Sequence, residues 1–433
     1  MMKISHWKPD FKFILVLSIF VSWTLAQLII PIKFLPYSIA SQLEIFKTII
    51  PVIGIMFCSL LYANKLKFSA IGVPFFLFGA FVLIKALTGF LISPKDLDYF
   101  FSPIMYLCWV VVMFITAPSI FNSLPKIRSL LRCMLATFSL VAIISIWFIF
   151  FLDIDVSALY KEGRFTYIYS NALYLGAISF SIICSCLMLM ELSTSKVERK
   201  LLLLFIVIFS VALIASFSRT FILAFLVLLF LYGINKPEKN KNFFIFFTLS
   251  FALIFLLILL VLLINNQLIS SDTLNALSSN RISLWFGAFQ KEFNGFEIIW
   301  GGDGSSNSIN ERVLSDGVSL DATFSRYAID NTYIEILVNT GLIGMSLFLW
   351  GLVNTYLTSR FTRLRLSGVE GGRELVGLLS VSHAVFISII VSALFYGHYP
   401  SLGNTINSVA LPAALSIIFF VSQTIGAKET QSK

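Results

Sequence analysis

The stretch "LIASFSRTFILAF", residues 213–225, sets an arginine, Arg219, inside a mostly apolar run from Leu201 to Ile234. A charge at the centre of a lipid-exposed helix costs roughly 2.5–3.5 kcal/mol on insertion scales. One long helix across this run would carry that cost. Two short helices meeting at "SFSRT" (216–220) would instead leave Arg219 at a membrane edge. The choice matters beyond the arginine, because it flips the side of every segment that follows.

The chain of 433 residues is 58% hydrophobic and only 12% charged, against about 25% charged in an ordinary globular domain. Apolar stretches of about twenty residues recur along nearly its whole length, each long enough to cross a hydrocarbon core of about 30 Å. The composition predicts an all-α polytopic membrane protein, a single integral membrane domain over 1–433. The net charge of +9 then marks the cytoplasmic ends of spans. It is not a nucleic-acid footprint, and membrane lipid is the expected surrounding. Five cysteines (Cys58, Cys108, Cys133, Cys184 and Cys186) all fall in or beside apolar spans, so no disulfide framework or thiolate metal site is expected. No metal or cofactor is expected elsewhere either. Lys3, Lys8 and Lys12 precede "FILVLSIFVSWTLAQLII" (13–30). Its length and the lack of an A-x-A site favour a first membrane span over a cleaved signal peptide.

Twelve spans are predicted, at about 12–31, 43–62, 68–92, 99–121, 130–152, 171–191, 201–216, 219–234, 243–264, 332–357, 374–396 and 405–424. With both termini cytoplasmic, the inside segments hold Lys65, Lys67, Lys126, Arg128, Arg132, "SKVERK" (195–200), "NKPEKNK" (235–241), "SRFTRLR" (359–365) and the tail ending at Lys433. About twenty of the thirty-one Lys and Arg residues then lie inside, as the positive-inside tendency expects. Merging the seventh and eighth spans would put "NKPEKNK" outside. The hairpin is therefore preferred.

This orientation leaves three segments outside: "DIDVSALYKEGRFTYIYS" (153–170), the Arg219 turn, and a large loop over 265–331. In that loop, "RISLWFGAFQKEF" (281–293) places Ile282, Trp285, Phe286, Phe289 and Phe293 at helical spacing. An amphipathic helix there either lies at the outer interface or packs on the bundle. Lys47, Lys85, Arg219 and Glu335 all fall in the outer half of their spans. Each alone reads as a side chain snorkelling to headgroups. Their shared depth favours a cavity opening outward. The outer loops add Arg164, Arg281, Arg312 and Arg326. Each alone fits a headgroup contact or an ion pair. Together they suggest a site for an anionic headgroup, since guanidinium grips phosphate bidentately and stays charged.

Four segments carry a family resemblance: "EGRFTYIYSNALYLG" (162–176), "SFSRTF" (216–221), "NRISLWFGAFQKEFNGFEIIWGGDGSSN" (280–307) and "DNTYIEILVNTGLIGMSLFLW" (330–350). In their order and spacing they resemble the O-antigen polymerase and O-antigen ligase superfamily. Members have a Ser-Arg pair near a span end and an Arg-x-x-x-Trp stretch leading to a glycine-rich turn. A His-Asn or Asp-Asn pair follows, opening a span with a Gly-x-x-Gly. Where ligases commonly carry a histidine, this chain has Asp330, which leans toward the polymerase branch. That branch's pattern of two periplasmic arginines, each followed by a glycine, is loosely matched by Arg164 with Gly176 and Arg281 with Gly301.

The resemblance implies a GT-C-like fold in the bacterial inner membrane with a large periplasmic loop. It implies a metal-independent glycosyltransferase that joins undecaprenyl-diphosphate-linked repeat units into O-antigen, with a chain-length regulator and a flippase as partners. In that chemistry a sugar hydroxyl of one lipid-linked repeat attacks the anomeric carbon of another chain, and lipid diphosphate leaves. Arg219 is expected to hold the diphosphate, ahead of Arg281 and Arg164, which complete the clamp or grip the glycan. Arg326, Asn331, Lys85 and Tyr333 are expected around the substrate, and Trp285, Trp300 and Tyr333 are candidates to stack on sugars. Asp330 is the first choice of base, although "DNTY" (330–333) equally reads as a helix N-cap. Glu335 and His398 are its competitors, while His383 lies deeper and reads as structural. "GGDG" (301–304) reads as a turn rather than a phosphate cradle, because no Lys-Ser/Thr opens a helix after it. Two other functions stay open. One is an O-antigen ligase or related oligosaccharyltransferase. The other, of a different class, is a lipid-linked glycan flippase or transporter, where internal repeats and midplane charges would be expected.

Overall fold

The computed structural model describes residues 11–29, 54, 61, 71–92, 117–151, 156–161, 164–167, 169, 172–234, 297–301, 331–367, 373–394 and 410–431. The expected spans at 43–62 and 243–264, most of that at 99–121, and all of the 265–331 loop except 297–301 and Asn331 lie outside the described residues, save Gly54 and Leu61. The described helices are α1 (Phe11–Ile29), α2 (Gly72–Ile92), α3 (Ala117–Ile120), α4 (Leu124–Phe151), α5 (Ala172–Leu192), α6 (Lys196–Ala215), α7 (Arg219–Ile234), α8 (Glu297–Trp300), α9 (Thr332–Ser367), α10 (Arg373–Ser392) and α11 (Ala410–Gln431).

Among the described residues, four stretches are long and apolar enough to cross a membrane: Leu124–Ile144, Leu173–Leu192, Thr340–Leu366 and Leu375–Ser392. Shorter apolar helices at Phe11–Ser22, Gly72–Lys85, Arg219–Ile234 and Ala413–Gln423 pack beside them. The protein is a helical membrane protein. Its helices cohere in lipid by close packing rather than by expulsion from water. Small side chains make that possible: Ser179, Ser181, Cys184, Ser185 and Cys186 are fully buried on α5, against which α4, α6, α7 and α10 pack. Likewise the Phe75 ring of α2 lies where a Cβ on Gly351 of α9 would sit, 2.7 Å from its nearest atom.

Cross-helix contacts sort the helix ends into two sets. At one end, the Arg128 guanidinium donates to the Leu192 carbonyl, Arg132 pairs with Glu198 at 2.7 Å, and Arg199 Nε donates to the Ser193 carbonyl at 3.0 Å. The starts of α4 and α6 and the end of α5 therefore meet there. Tyr232 near the end of α7 donates to Glu191 Oε1 at 2.9 Å, and Glu191 also faces Gly377 at the start of α10. At the opposite end, Gly176 at the start of α5 touches Ser218, just before α7, and the Thr332 amide donates to the Ala393 carbonyl past the end of α10, at 3.0 Å. This alternation is the one the charge bias predicts for these spans. Lys126, Arg128, Arg132, Lys196, Arg199 and Lys200 gather at the first end, and Arg219 sits at the second.

The apolar run from Leu201 to Ile234 is two helices. α6 ends at Ala215 and α7 begins at Arg219. Ser216–Ser218 turn the chain between them, with Phe217 at a positive φ of 48°. α6 then packs chiefly on α5, and α7 on α10.

The expected single span at 332–357 is corrected. Inside α9, Gly341 has φ 62° and ψ −167°, outside the helical region. The Tyr333 and Phe348 rings nonetheless lie 6.2 Å apart, centroid to centroid. In an unbroken helix those residues would be separated by roughly 22 Å along the axis, so the chain folds back at Gly341. A short limb, 332–340, lies beside the start of a long limb, 342–367. The membrane-crossing stretch is Thr340–Leu366. The reversal is held from outside α9: Ile299 O and, at 2.6 Å, Gly301 N occupy the place a Cβ on Gly341 would need.

The all-α expectation meets one small exception. After a 3₁₀ turn at Val156–Leu159, β1 (Tyr160–Lys161) pairs antiparallel with β2 (Arg164–Phe165). The Leu159 carbonyl closes this ribbon by accepting from the Thr166 amide at 2.9 Å, the Tyr167 amide at 3.1 Å and the Thr166 hydroxyl at 3.0 Å.

Candidate functional site at the Arg219 end of the bundle

Arg219 is the first residue of α7 and is exposed. The turn before it is built from its own hydroxyls. The Ser216 amide donates to the Ala212 carbonyl at 3.0 Å, Ser216 Oγ donates to the Leu213 carbonyl at 2.7 Å, and the Ser218 amide donates to Ser216 Oγ at 3.3 Å. Ser218 starts α7 through its backbone, accepting from the Ile222 amide at 2.9 Å. Its hydroxyl does not cap the helix: Ser218 Oγ is buried and has no hydrogen-bond partner among the described residues. Arg219 therefore stands at the N-terminal end of α7, where the helix dipole favours anions.

Several of the other sequence-predicted residues lie at this same end. Arg164 is on β2, in the ribbon that precedes α5. Tyr167 of the ribbon donates to the Ala142 carbonyl of α4 at 3.2 Å, which anchors the ribbon at the far end of α4. Burial pushes the Tyr167 hydroxyl up to about 12. It raises Tyr169 as well, with a smaller push from Tyr167. Both remain neutral at physiological pH.

Asn331 resolves the ambiguity of "DNTY". It is 6% exposed, and its Oδ1 accepts from the Tyr333 amide at 3.0 Å and the Ile334 amide at 3.1 Å. Asn331, not Asp330, is the N-cap of α9. Tyr333 donates its hydroxyl to the Ile390 carbonyl at 2.9 Å, so that group is spent tying the short limb to α10. Glu335 lies one turn along the same limb.

Lys85 is 5% exposed on α2. On α2, Phe75 meets Phe348 at 6.1 Å, and Phe81 meets Trp300 at 5.2 Å. Lys85 lies one turn beyond Phe81, toward the Gly341 end. Trp300 is thus engaged edge-on by Phe81, and Gly301 follows with a positive φ of 82°; the rest of the expected turn, 302–304, lies outside the described residues. Arg281, Arg312, Arg326, Asp330, His398, Lys47 and Trp285 lie outside the described residues. His383 is buried among Ser359 and Tyr356, well below this end. Among the described residues, no group of three or more His, Cys, Asp and Glu is placed to hold a metal.

The two glycines paired in the sequence with loop arginines share a feature that spacing does not reveal. Each meets a distant segment closely: a Cβ on Gly176 would stand 2.6 Å from Ser218 Cβ, and the Gly301 amide nitrogen lies 2.6 Å from where a Cβ on Gly341 would stand. A glycine before a helix or strand is a weak signal without its partner, and the partners here are far away in sequence.

Residues 204–349 match the O-antigen ligase family, consistent with the O-antigen polymerase and ligase superfamily. The match covers about a third of the chain and spans Ser218, Arg219, Gly301, Asn331 and Gly341. Arg164, Gly176, Lys85 and His398 fall outside it. No curated protein matches the chain.

Proposed function

We propose, with that family match as the premise, that the chain is a polymerase of undecaprenyl-diphosphate-linked oligosaccharide repeats, acting at the periplasmic face of the bacterial inner membrane. The observation that carries this is the position of Arg219. It is an exposed guanidinium opening a helix at the end of the bundle opposite the basic segments.

Arg219 holds the diphosphate of the leaving chain. As the bond from the anomeric carbon to the diphosphate oxygen breaks, negative charge grows on that oxygen. Preorganised donors stabilise the charge without a metal. The attacking sugar hydroxyl forms the new glycosidic bond and gives its proton to a base. Asp330 is that base: Asn331 already supplies the cap of α9, so the neighbouring carboxylate is not needed there. Arg164 and Arg281 grip the glycan or complete the clamp, and Arg326 and Lys85 add positive charge. Glu335 and His398 are the alternatives to Asp330.

Replacing Arg219 by Ala is expected to abolish long glycan ladders while protein level and membrane insertion hold. Loss of one preorganised donor costs on the order of 100- to 1,000-fold in rate. Lys restores part, since it keeps the charge but not the bidentate geometry. Normal ladders in Arg219→Ala would refute the assignment. A second reading, an O-antigen ligase, is favoured by the description of the matched family. A deletion strain separates the two. Without a polymerase, single repeats still reach the core lipid; without a ligase, none do.

A further inference from the structure

We infer that Gly176 is a positioning residue for Arg219, acting through Ser218; this rests on the diphosphate reading of Arg219. A Cβ added at Gly176 would stand 2.6 Å from Ser218 Cβ, 2.9 Å from Ser218 Oγ and 3.1 Å from the Phe221 ring. The nearest of these, Ser218 Cβ, is fixed to the backbone just before α7 and is not the far end of a flexible chain. α5 at this point accepts only a glycine unless α7 moves.

Ser218 cannot yield independently of Arg219. Its carbonyl receives the first helical bond of α7, from the Ile222 amide at 2.9 Å, and the peptide that leaves it carries the Arg219 amide. From the other side the turn is fixed by Ser216, which ties back to Ala212 and Leu213. A displacement of Ser218 is therefore passed to the base of Arg219.

Two further features show that this turn is not arranged for stability alone. Phe217 occupies the left-handed region at φ 48° and is 61% exposed on the protein surface, so packing against the rest of the bundle does not compensate the strain. Ser218 Oγ is buried with no hydrogen-bond partner among the described residues. Strain and an orphaned hydroxyl at adjacent positions persist where the surroundings over-determine the backbone. Here the surroundings are Gly176 on one side and the Ser216 bonds on the other.

The test is a steric exchange, read in nanodiscs supplied with lipid-linked repeats isolated from a strain lacking the chain. Four proteins are compared: the unmodified chain, Gly176→Ala, the double variant Gly176→Ala with Ser218→Gly, and Arg219→Ala. Gly176→Ala is expected to lower kcat on the order of 100-fold, the scale of a misplaced group about 1 Å from its working position, with KM changed far less. The double variant, which removes Ser218 Cβ and Oγ from the contact, is expected to be folded and to recover most of that loss. Recovery supports the inference even if Gly176→Ala alone fails to fold. A double variant that is unfolded, or folded and inactive, overturns it, as does a fully active Gly176→Ala. Full activity in Arg219→Ala sinks the diphosphate reading itself. Loss there without loss in Gly176→Ala sinks only the positioning role.

Discussion

Tyr333 and Phe348 belong to one helical stretch, yet their rings meet edge to face at 6.2 Å. Only the reversal at Gly341 allows this, and Gly341 holds a left-handed φ of 62° against the backbone of Ile299–Gly301. Gly341→Ala would add both a disfavoured φ and a clash with main-chain atoms that cannot rotate away. The expected cost is roughly 2–4 kcal/mol. Thermal unfolding in detergent checks it. A melting point unchanged from the unmodified protein would mean that the short limb, 332–340, continues straight into the long one.

Asn331 and Asp330 are separable by which property fails. Asn331→Ala removes two hydrogen bonds to the Tyr333 and Ile334 amides and should cost about 1 kcal/mol. Asn331→Asp should cost little, because Asp caps as well. Asp330→Asn leaves that cap in place, so stability is expected to stay level while glycan ladders vanish. Ladders of normal length in Asp330→Asn would move the base to Glu335 or His398.

Much of the bundle is legible because lipid leaves few choices. The cost of Arg219 inside one helix and the bias of Lys126, Arg128, Arg132 and the 195–200 segment both call for a break near 216. The break is there, and the described helix ends alternate accordingly. The reversal at Gly341 is not legible, since "NTGLIGMSLF" (339–348) carries no charge and no proline to mark a break and glycine is frequent in membrane helices. What sets it is the backbone of Ile299–Gly301, a tertiary contact. The cap was ambiguous because Asp and Asn accept amide bonds alike; the bond from the Thr332 amide to Ala393 fixes the register. The ribbon at 160–165 has two residues per strand, too short for alternation to show. Gly176 acts through Ser218, and no local pattern links them.

At the opposite end, Glu198 links α6 to α4. Burial pushes its carboxyl up, but the Ser193 hydroxyl and Arg132, with Arg128 nearby, outweigh it and leave the pKa below the ordinary glutamate value. A carboxylate depressed in the folded state stabilises fully above its unfolded pKa, and that contribution is lost as pH falls through the lower folded value. Glu198→Gln should therefore melt earlier than the unmodified protein at neutral pH, and the gap should close only below the usual glutamate range. The Arg132 side chain is 53% exposed, so the neutral-pH gap should be small and shrink in high salt. A gap independent of pH would show that Glu198 contributes packing rather than charge.

Orientation decides whether Arg219 meets the lipid carrier at all. Gly176, Ser218 and the Thr332–Ala393 bond gather at one end, while Lys196, Arg199 and Lys200 lie at the other beside Arg132. Basic residues favour the cytoplasmic side, so Arg219 is expected to face the periplasm. Single cysteines introduced at 219 and at 200, in a background without the native cysteines, test this with a membrane-impermeant maleimide applied to spheroplasts. Position 219 is exposed and should label in intact spheroplasts; position 200 should label only after lysis. The reverse pattern would put the guanidinium on the cytoplasmic face, where a periplasmic polymerase has no substrate. Labelling of both positions in intact spheroplasts would mean that the α6–α7 turn does not separate the two faces. Either result would remove the ground for placing the diphosphate at Arg219, whatever activity Arg219→Ala retained.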